Sequence, residues 1–224
     1  MNGYTQGGDG AGRSNSHKSV YATPPGFVHT SYSLFPGHPG GTAGLHKISP
    51  PPDLFVSHNG WFWPHNDSAV EGQLCWSNQS LIEYLKGAAL EMLSTQPDAK
   101  IISISQNDNS NYCKDPQELA IIAAEGSPMG PLLRAVNEIA DAVAIQYPLV
   151  AVDTLAYQYT LPPPTITKPR KNVIIRLCDI QSNSAVPLTD PRSVKCTPIR
   201  LAGFPLRVAF FASYFFGGFF NYYL

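Results

Sequence analysis

The four consecutive residues Gln106-Asn107-Asp108-Asn109 are the densest group of chemically capable side chains in the sequence. They follow an apolar run that ends near Ser105. A carboxylate flanked by amides can transfer a proton and can hydrogen-bond a hydroxyl-rich ligand such as a sugar. An alternative interpretation is an Asx-rich turn that caps the next helix.

Polar or aromatic residues also follow four other apolar runs. In parallel α/β folds, reactive groups gather at the carboxyl ends of the strands. Amides and hydroxyls can hydrogen-bond sugar hydroxyls, and aromatic rings can stack on a sugar ring. We therefore expect these residues to line one pocket together with Asp108. They are His29-Thr30-Ser31, residues 76–78, Tyr157-Gln158-Tyr159-Thr160, and Arg176 with Cys178 and Asp179.

The apolar runs alternate with segments of helical periodicity, which predicts a parallel sheet covered by helices. Helices are expected over residues 80–95, beginning with a Ser80/Glu83 capping box, and over residues 117–125 and 132–144. Residues 61–64 are expected to be irregular. Periodicity alone does not distinguish a closed barrel from an open sheet, but no Gly-rich phosphate loop follows any strand. Strands are predicted at residues 27–30, 73–76, 100–105, 149–157 and 172–178.

Charge and length narrow the possibilities further. The chain has 15 basic and 16 acidic residues, a net charge of −1 and no basic stripe. We therefore expect no electrostatic binding to nucleic acid. A complete (β/α) barrel usually needs about 250 residues, whereas this chain has 224. A TIM-type barrel in this chain is therefore expected to be incomplete.

The four cysteines are widely spaced and include no C-x-x-C pair, so no zinc knuckle is predicted. They form no disulfide framework of the kind found in small secreted domains. Cys75 and Cys178 lie in apolar runs and are interpreted as small buried hydrophobes. We predict neither a metal site nor a cofactor.

The two ends of the chain differ in composition from its middle. Residues 1–25 are predicted to be disordered and contain no secretory signal, residues 26–190 form the partial barrel, and residues 191–224 form an irregular tail. Residues 208–224 are uncharged and aromatic, and 17 residues are at the short limit for a membrane span. Three interpretations are open: a membrane anchor, a surface packed on the open barrel, or a translated intron or shifted frame without selected structure.

Several motifs occur in an order that resembles DUF4838, an uncharacterised family of glycoside-hydrolase-like barrels. That family is itself similar to the α-glucuronidase and hexosaminidase barrels. The resemblance covers residues 27–190. The motifs are Phe27-Val28-His29-Thr30, Gly72-Gln73-Leu74-Cys75 with Asn78, residues 104–109 with Tyr112-Cys113, Gly130-Pro131-Leu132-Leu133 with Val136-Asn137, residues 155–160, residues 172–178, and Pro187-Leu188-Thr189-Asp190.

The resemblance implies a carbohydrate-active barrel that is usually secreted. It places the acid/base carboxylate of the family on Asp108, after a central strand. It also implies that the sugar contacts are His29, Gln106, Asn107 and Tyr157. Arg176, at the end of the last predicted strand, is a further candidate for a sugar contact. The chain departs from the family at residues 114–116, where further cysteines often stand, at residues 179–186, and after residue 190, where the family continues with the remaining strands.

Glycoside hydrolysis normally uses two carboxyl groups. Asp108 is expected to be the acid, with its pKa raised by burial, and Asp179 or Asp190 is the candidate partner. Substrate-assisted hydrolysis would need one acid and an orienting group, for which Asn107 and Tyr157 are candidates. The sequence therefore predicts a glycoside hydrolase acting on O-glycosidic bonds of a carbohydrate substrate. The alternatives are a truncated, inactive carbohydrate-binding barrel fragment and a protein anchored in a membrane by residues 208–224.

Overall fold

The structure is a computed structural model. It describes residues 20–34, 62–65, 68–178, 208–211 and 221–222; the side chains of residues 32, 62–65, 68–72, 208–211 and 221–222 are not described. The helices are α1 (Ser31–Leu34), α2 (Gln79–Ser94), α3 (Pro116–Glu125) and α4 (Met129–Gln146), with a 3-10 turn at Gln158–Thr160. The strands are β1 (Phe62–His65), β2 (Ser68–Leu74), β3 (Ile101–Ser103), β4 (Ala151–Ala156), β5 (Val173–Cys178), β6 (Val208–Phe211) and β7 (Asn221–Tyr222).

The main sheet has its strands in chain order. β3, β4 and β5 are parallel neighbours, and Ser103 lies opposite Asp153 while Leu155 lies opposite Arg176. β6 extends the sheet in parallel beside β5, and β7 pairs antiparallel with β6. At the other edge, Tyr21 forms a parallel bridge with Ile101. The α/β class with a parallel sheet is confirmed, and the predicted strands at 100–105, 149–157 and 172–178 are present in shorter form.

Two predicted members of this sheet are not in it. Residues 73–76 were expected to be a parallel strand, but β2 ends at Leu74 and pairs antiparallel with β1 in a separate two-stranded sheet. Residues 61–64 were expected to be irregular, but 62–64 lie in β1, and residue 61 lies outside the described residues. The signal for a hairpin was in the sequence, because two turn-favouring residues, Asn66 and Asp67, separate the two runs.

The strand expected at residues 27–30 does not form either. His29 has a positive φ of 50°, which breaks an extended backbone. The pairing with β3 begins earlier, where Ala22 N donates to Ile101 O. Residues 1–25 were expected to be disordered, but Tyr21 and Ala22 lie in this packed stretch and are buried. Residues 1–19 lie outside the described part of the chain.

Helices α2 and α4 cover one face of the sheet and form the apolar core with it. Helix α2 begins after Asn78, whose side chain accepts from Leu81 N. The predicted capping box at Ser80 is therefore wrong, and Glu83 bonds Lys86 and Gln79 instead. The core side chains include Leu81, Leu85, Ile102, Ile104, Leu132, Val136, Ile139, Val152, Val173 and Ile175. No helix within the described residues has the length and apolarity needed to cross a membrane.

Helix α3 agrees with its prediction, and α4 begins earlier than expected. Asp115 caps α3 by accepting from Gln117 N, and Gly126 ends it with a φ of 68°. Gly130 was expected to interrupt the helix but lies in the first turn of α4. A Cβ at position 130 would stand 2.5 Å from Cγ of Glu125. Glycine at this position therefore leaves the room that the buried Glu125 side chain needs.

Glu125 fixes the segment that connects β4 to β5. Its carboxylate accepts from Ile166 N, from Thr167 N and from the Arg134 guanidinium. Burial alone would raise the pKa of the Glu125 carboxyl, but the hydrogen bonds from Thr167, Arg134 and Ile166 lower it to about 2. The segment therefore packs on α3 and α4 without forming an α-helix of its own.

The other face of the sheet contains a buried ion pair. Arg176 Nε lies 2.5 Å from Asp153 Oδ2, and both side chains are almost fully buried. Tyr21 OH donates to the same carboxylate at 2.7 Å, while Arg176 Nη2 donates to Phe27 O and to Ser103 Oγ. The pair thereby ties the N-terminal segment to β3, β4 and β5.

The cysteine interpretation needs correction. Cys75 and Cys113 form a disulfide with a Cα–Cα distance of 5.1 Å. The bond joins the turn after β2 to the loop that contains Asp108. Cys178 is the free cysteine of the described residues, and burial raises the pKa of its thiol to about 11. Spacing alone did not reveal the bond because the two cysteines meet only in the folded chain.

Glu118 of α3 is buried and holds the turn after β2. Its Oε2 accepts from Ser77 N at 2.7 Å. Burial raises the pKa of the Glu118 carboxyl to about 7, although the Ser77 and Trp76 groups that bond it act in the opposite direction.

Replacement of Arg176 by Met should cost about 3–5 kcal/mol in the free energy of unfolding, because Asp153 would remain buried without its cation. Arg170→Met is the matched control, because Arg170 Nε pairs with Asp141 at 3.0 Å on the surface. The control should lose less than about 1 kcal/mol. Urea unfolding followed by tryptophan fluorescence measures both, and equal losses would contradict the structural role of the buried pair.

Replacement of Glu118 by Gln should flatten the pH dependence of stability. The folded protein keeps the Glu118 proton up to about pH 7, whereas the unfolded chain releases it near about pH 4.3. Stability from this group is thus fully present below the lower value and is lost as pH rises through the upper one. Between about pH 5 and pH 8 the wild type should lose about 1–3 kcal/mol relative to Glu118→Gln. Glu138→Gln, on the surface, should retain the wild-type slope.

Candidate functional site

A cluster of polar side chains lies at the carboxyl edge of the parallel sheet. Its members come from three separate segments: the N-terminal segment, the loop after β3 and the 3-10 turn after β4. We call His29, Asp108, Tyr157 and Gln158 the Asp108 cluster. The cluster brings together three of the residues predicted from the sequence, His29, Asp108 and Tyr157, and adds Gln158.

Asp108 is the centre of the cluster. Tyr157 OH donates to its Oδ1 at 2.8 Å, and Gln158 Nε2 donates to the same oxygen at 3.0 Å. The second oxygen, Oδ2, lies 4.0 Å from His29 Nε2. The carboxylate was expected to be buried, but 58 % of its side chain is exposed. One oxygen is therefore anchored by protein donors while the side chain stays open to solvent.

His29 contacts the cluster with one ring nitrogen and the protein backbone with the other. Its Nδ1 lies 2.9 Å from Gln106 O. Its ring is tilted against that of Tyr157, with centroids 5.7 Å apart. The side chain is 22 % exposed. His29 is thus held on two sides and directs Nε2 towards Asp108.

Tyr157 and Gln158 are fixed by their own turn. Tyr157 N donates to Thr160 Oγ1, and Ser110 Oγ donates to Gln158 Oε1 at 2.7 Å. Partial burial raises the pKa of the Tyr157 phenol, and the Asp108 carboxylate adds to this rise while Gln158 opposes it. The phenol therefore remains a hydrogen-bond donor to Asp108.

Two residues of the cluster have a left-handed backbone. His29 has φ of 50° and Gln158 has φ of 51°. They are the non-glycine residues with positive φ in the described part of the chain. Such conformations cost about 1–3 kcal/mol each and are enriched at functional sites. Both side chains point at the same carboxylate.

The loop after β3 is held by a side chain that sequence reasoning did not single out. Gln73 Nε2 donates to Asn107 O at 3.0 Å and to Asn109 O at 2.9 Å, and Asn107 N donates to Gln73 Oε1. The disulfide at Cys113 anchors the same loop further along. Gln73 lies in the run Gly72-Gln73-Leu74-Cys75 on which the family resemblance was partly based, and that resemblance was the signal available in the sequence.

The remaining predicted residues are buried. Gln106 Nε2 donates to Thr160 Oγ1 at 2.6 Å and to two backbone carbonyls of β4 and its turn. Gln106 Oε1 is buried and has no hydrogen-bond partner among the described residues. Asn107 is buried in the loop core, and Arg176 belongs to the ion pair with Asp153. The roles predicted for these three as sugar contacts stay predictions.

The second carboxyl of the predicted mechanism is not among the described residues, because Asp179 and Asp190 both lie outside them. The described contacts of Asp108 are a phenol, an amide and an imidazole. Within residues 20–34 and 73–178, whose side chains are described save Tyr32, no group of three or more His, Cys, Asp or Glu side chains could hold a metal ion.

Comparison with known proteins gives one match. The family model described as "Domain of unknown function (DUF4838)" matches residues 11–200. No curated protein and no solved structure matches the chain. Because the matched segment is most of the 224 residues, the chain belongs to the DUF4838 family.

Proposed function

We propose that this protein hydrolyses O-glycosidic bonds and that the Asp108 cluster is its active site. The observation that supports this is the convergence on one exposed carboxylate of side chains from three separate segments at the carboxyl edge of a parallel sheet. In parallel α/β folds this edge is where active sites are built. Two strained backbone positions at the same carboxylate add support.

A (β/α) barrel is the second part of the proposal. Its support is the order of the sheet, in which the Tyr21 segment, β3, β4, β5 and β6 lie side by side in the order in which they occur along the chain. Helices α2 and α4 lie on one face, whereas the other face contains the polar residues Ser103, Asp153 and Arg176. An open doubly wound sheet would place helices on both faces. The β1–β2 hairpin is then an insertion between a barrel strand and its helix.

In the proposed reaction Asp108 exchanges a proton through Oδ2. Hydrolysis delivers a proton to the oxygen that leaves with one sugar and a hydroxyl group to the anomeric carbon of the other. Tyr157 and Gln158 hold Oδ1, so that Oδ2 faces the ligand. One carboxyl group and an orienting phenol are the set that substrate-assisted hydrolysis requires. Asp179 or Asp190 would supply the second carboxyl of a two-carboxylate mechanism.

Asp108→Asn should lower kcat for a cleaved glycoside by about 10²–10⁴-fold, because the amide cannot transfer the proton. Asp141→Asn is the matched control, since Asp141 is equally exposed at 52 % but pairs with Arg170. The substrates to test are chromogenic uronic-acid and hexosamine glycosides, assayed as release of the aglycone. Tyr157→Phe should also lower kcat, whereas Tyr147→Phe, which loses only a bond to Leu90 O, should not.

The outcomes separate the alternatives. Hydrolysis that survives Asp108→Asn would reject this carboxylate as the acid. Binding of the same glycosides without any release of product would reject the hydrolase and favour an inactive carbohydrate-binding barrel. A kcat that falls equally in Asp108→Asn and Asp141→Asn would point to a general loss of structure.

A further inference from the structure

We propose that Gln106 is a positioning residue of the Asp108 cluster, because its buried side-chain amide sets the turn that directs the Tyr157 hydroxyl at Asp108. The inference goes beyond the proposed function, since it assigns to Gln106 a role in the geometry of the cluster rather than a contact with a ligand. It rests on the proposed function only where turnover is measured. The geometry itself is measured without turnover.

The first step is the direction of the Gln106 amide. Its Nε2 donates to Thr160 Oγ1 at 2.6 Å and to the carbonyl oxygens of Leu155 and Tyr157, both at 3.3 Å. Carbonyl oxygens can only accept, so the amide NH2 group rather than Oε1 must face them. Oε1 has no hydrogen-bond partner among the described residues. The amide keeps this direction because the reverse one would set its oxygen against two carbonyl oxygens.

The second step is the place of these bonds in the sheet. Strands β3 and β4 are parallel neighbours, and Ile104 N donates to Asp153 O just after β3 ends. In a regular parallel ladder the next bond would reach the carbonyl two residues further along β4, which is that of Leu155. It is the Gln106 side chain that donates to this carbonyl. The amide therefore continues the connection between the two strands into the loops that follow them.

The third step is the backbone of Tyr157. Thr160 Oγ1 accepts from Gln106 Nε2 at 2.6 Å and from Tyr157 N at 3.1 Å. Tyr157 O accepts from the same Gln106 amide. Both backbone polar groups of Tyr157 are thus held by Gln106 and Thr160, which fixes the backbone from which the phenol projects. Gln106 and Thr160 are fully buried, where water does not compete for these bonds.

The fourth step connects this backbone to the cluster. The Tyr157 hydroxyl donates to Asp108 Oδ1 at 2.8 Å, and Asp108 comes two residues after Gln106. The carbonyl oxygen of Gln106 also accepts from His29 Nδ1 at 2.9 Å. Residue 106 therefore contacts all three segments that form the cluster. Because a displacement of about 1 Å at a reacting group can cost about 100-fold in rate, loss of the amide should be felt at Asp108.

Four variants test this role. Gln106→Met keeps the length of the side chain but removes the amide, and it retains the backbone carbonyl that His29 contacts. Thr160→Val removes the hydroxyl that joins the amide to Tyr157, whereas Thr160→Ser retains a hydroxyl. Thr154→Val is the matched control, because Thr154 is equally buried on β4 and its Oγ1 has no hydrogen-bond partner among the described residues.

The readout is the NMR signal of the tyrosine Cζ atom, which responds to hydrogen bonding of the phenol. Protein labelled with 13C at tyrosine Cζ is recorded at neutral pH, and Tyr157 is assigned by the loss of its signal in Tyr157→Phe. Asp108→Ala gives the position of the signal when the phenol has no carboxylate to bond. In Gln106→Met and Thr160→Val we expect the signal to move from the wild-type position towards the Asp108→Ala position. In Thr160→Ser and Thr154→Val it should stay at the wild-type position.

Kinetics separate a positioning role from a contact with the sugar. For a glycoside that the wild type cleaves, Gln106→Met should lower kcat by about 10- to 100-fold and change KM by less than about 3-fold. A rise in KM with kcat unchanged would mark Gln106 as a ligand contact and overturn the inference. If the wild type cleaves no glycoside, the proposed function fails, and the Tyr157 signal still decides the role of Gln106.

Two further results would overturn the inference. A Tyr157 signal at the wild-type position in both Gln106→Met and Thr160→Val would show that the amide does not direct the phenol. A signal that moves as far in Thr154→Val would show a general loosening of β4 instead. If Gln106→Met does not fold, the Thr160 variants decide, because the signal must move in Thr160→Val and stay in Thr160→Ser.

Discussion

The buried ion pair between Asp153 and Arg176 is the constraint on which the rest of this fold depends. Two opposite charges are held where water cannot reach them, so each needs the other and further hydrogen bonds besides. The N-terminal segment supplies those bonds through Tyr21 OH and Phe27 O. The same segment then continues to His29. The electrostatic needs of one pair thus determine where a residue distant in sequence lies relative to Asp108.

The Asp108 cluster is arranged by bonds that leave few degrees of freedom. Gln73 and the disulfide fix the loop after β3, while Thr160 fixes the turn after β4. Side chains with a single available orientation can be specific for donor and acceptor positions, because they lose little entropy when a ligand binds. Asp108, although exposed, therefore has one carboxylate oxygen already held by protein donors.

Periodic patterns predicted the regular part of this structure well. The apolar spacing of α2 and α4 and the buried runs of β4 and β5 express local rules that any packed α/β sheet obeys. The contact between Asp108 and Tyr157 also followed, because both residues come after parallel strands that end at a common edge. His29 approaches the same carboxylate from a segment that is not a strand, so the strand-end rule does not account for its position. Contacts between distant residues did not follow: the Cys75–Cys113 bond, the Gln73 bonds and the buried state of Arg176 are properties of the folded chain. The β1–β2 hairpin was missed although Asn66 and Asp67 gave a local signal for it. The exposure of Asp108 was missed because burial depends on neighbours that a strand-end rule does not specify.

The disulfide closes a covalent ring. Residues 75–113, with a separation of 38 positions, include the whole of α2, β3 and the exposed residues near Asp108. A protease that cuts the chain once inside this ring leaves two fragments that remain joined through sulfur. The loop around Asp108 can therefore be nicked without dissociation of the protein, and only a reductant would release the two halves.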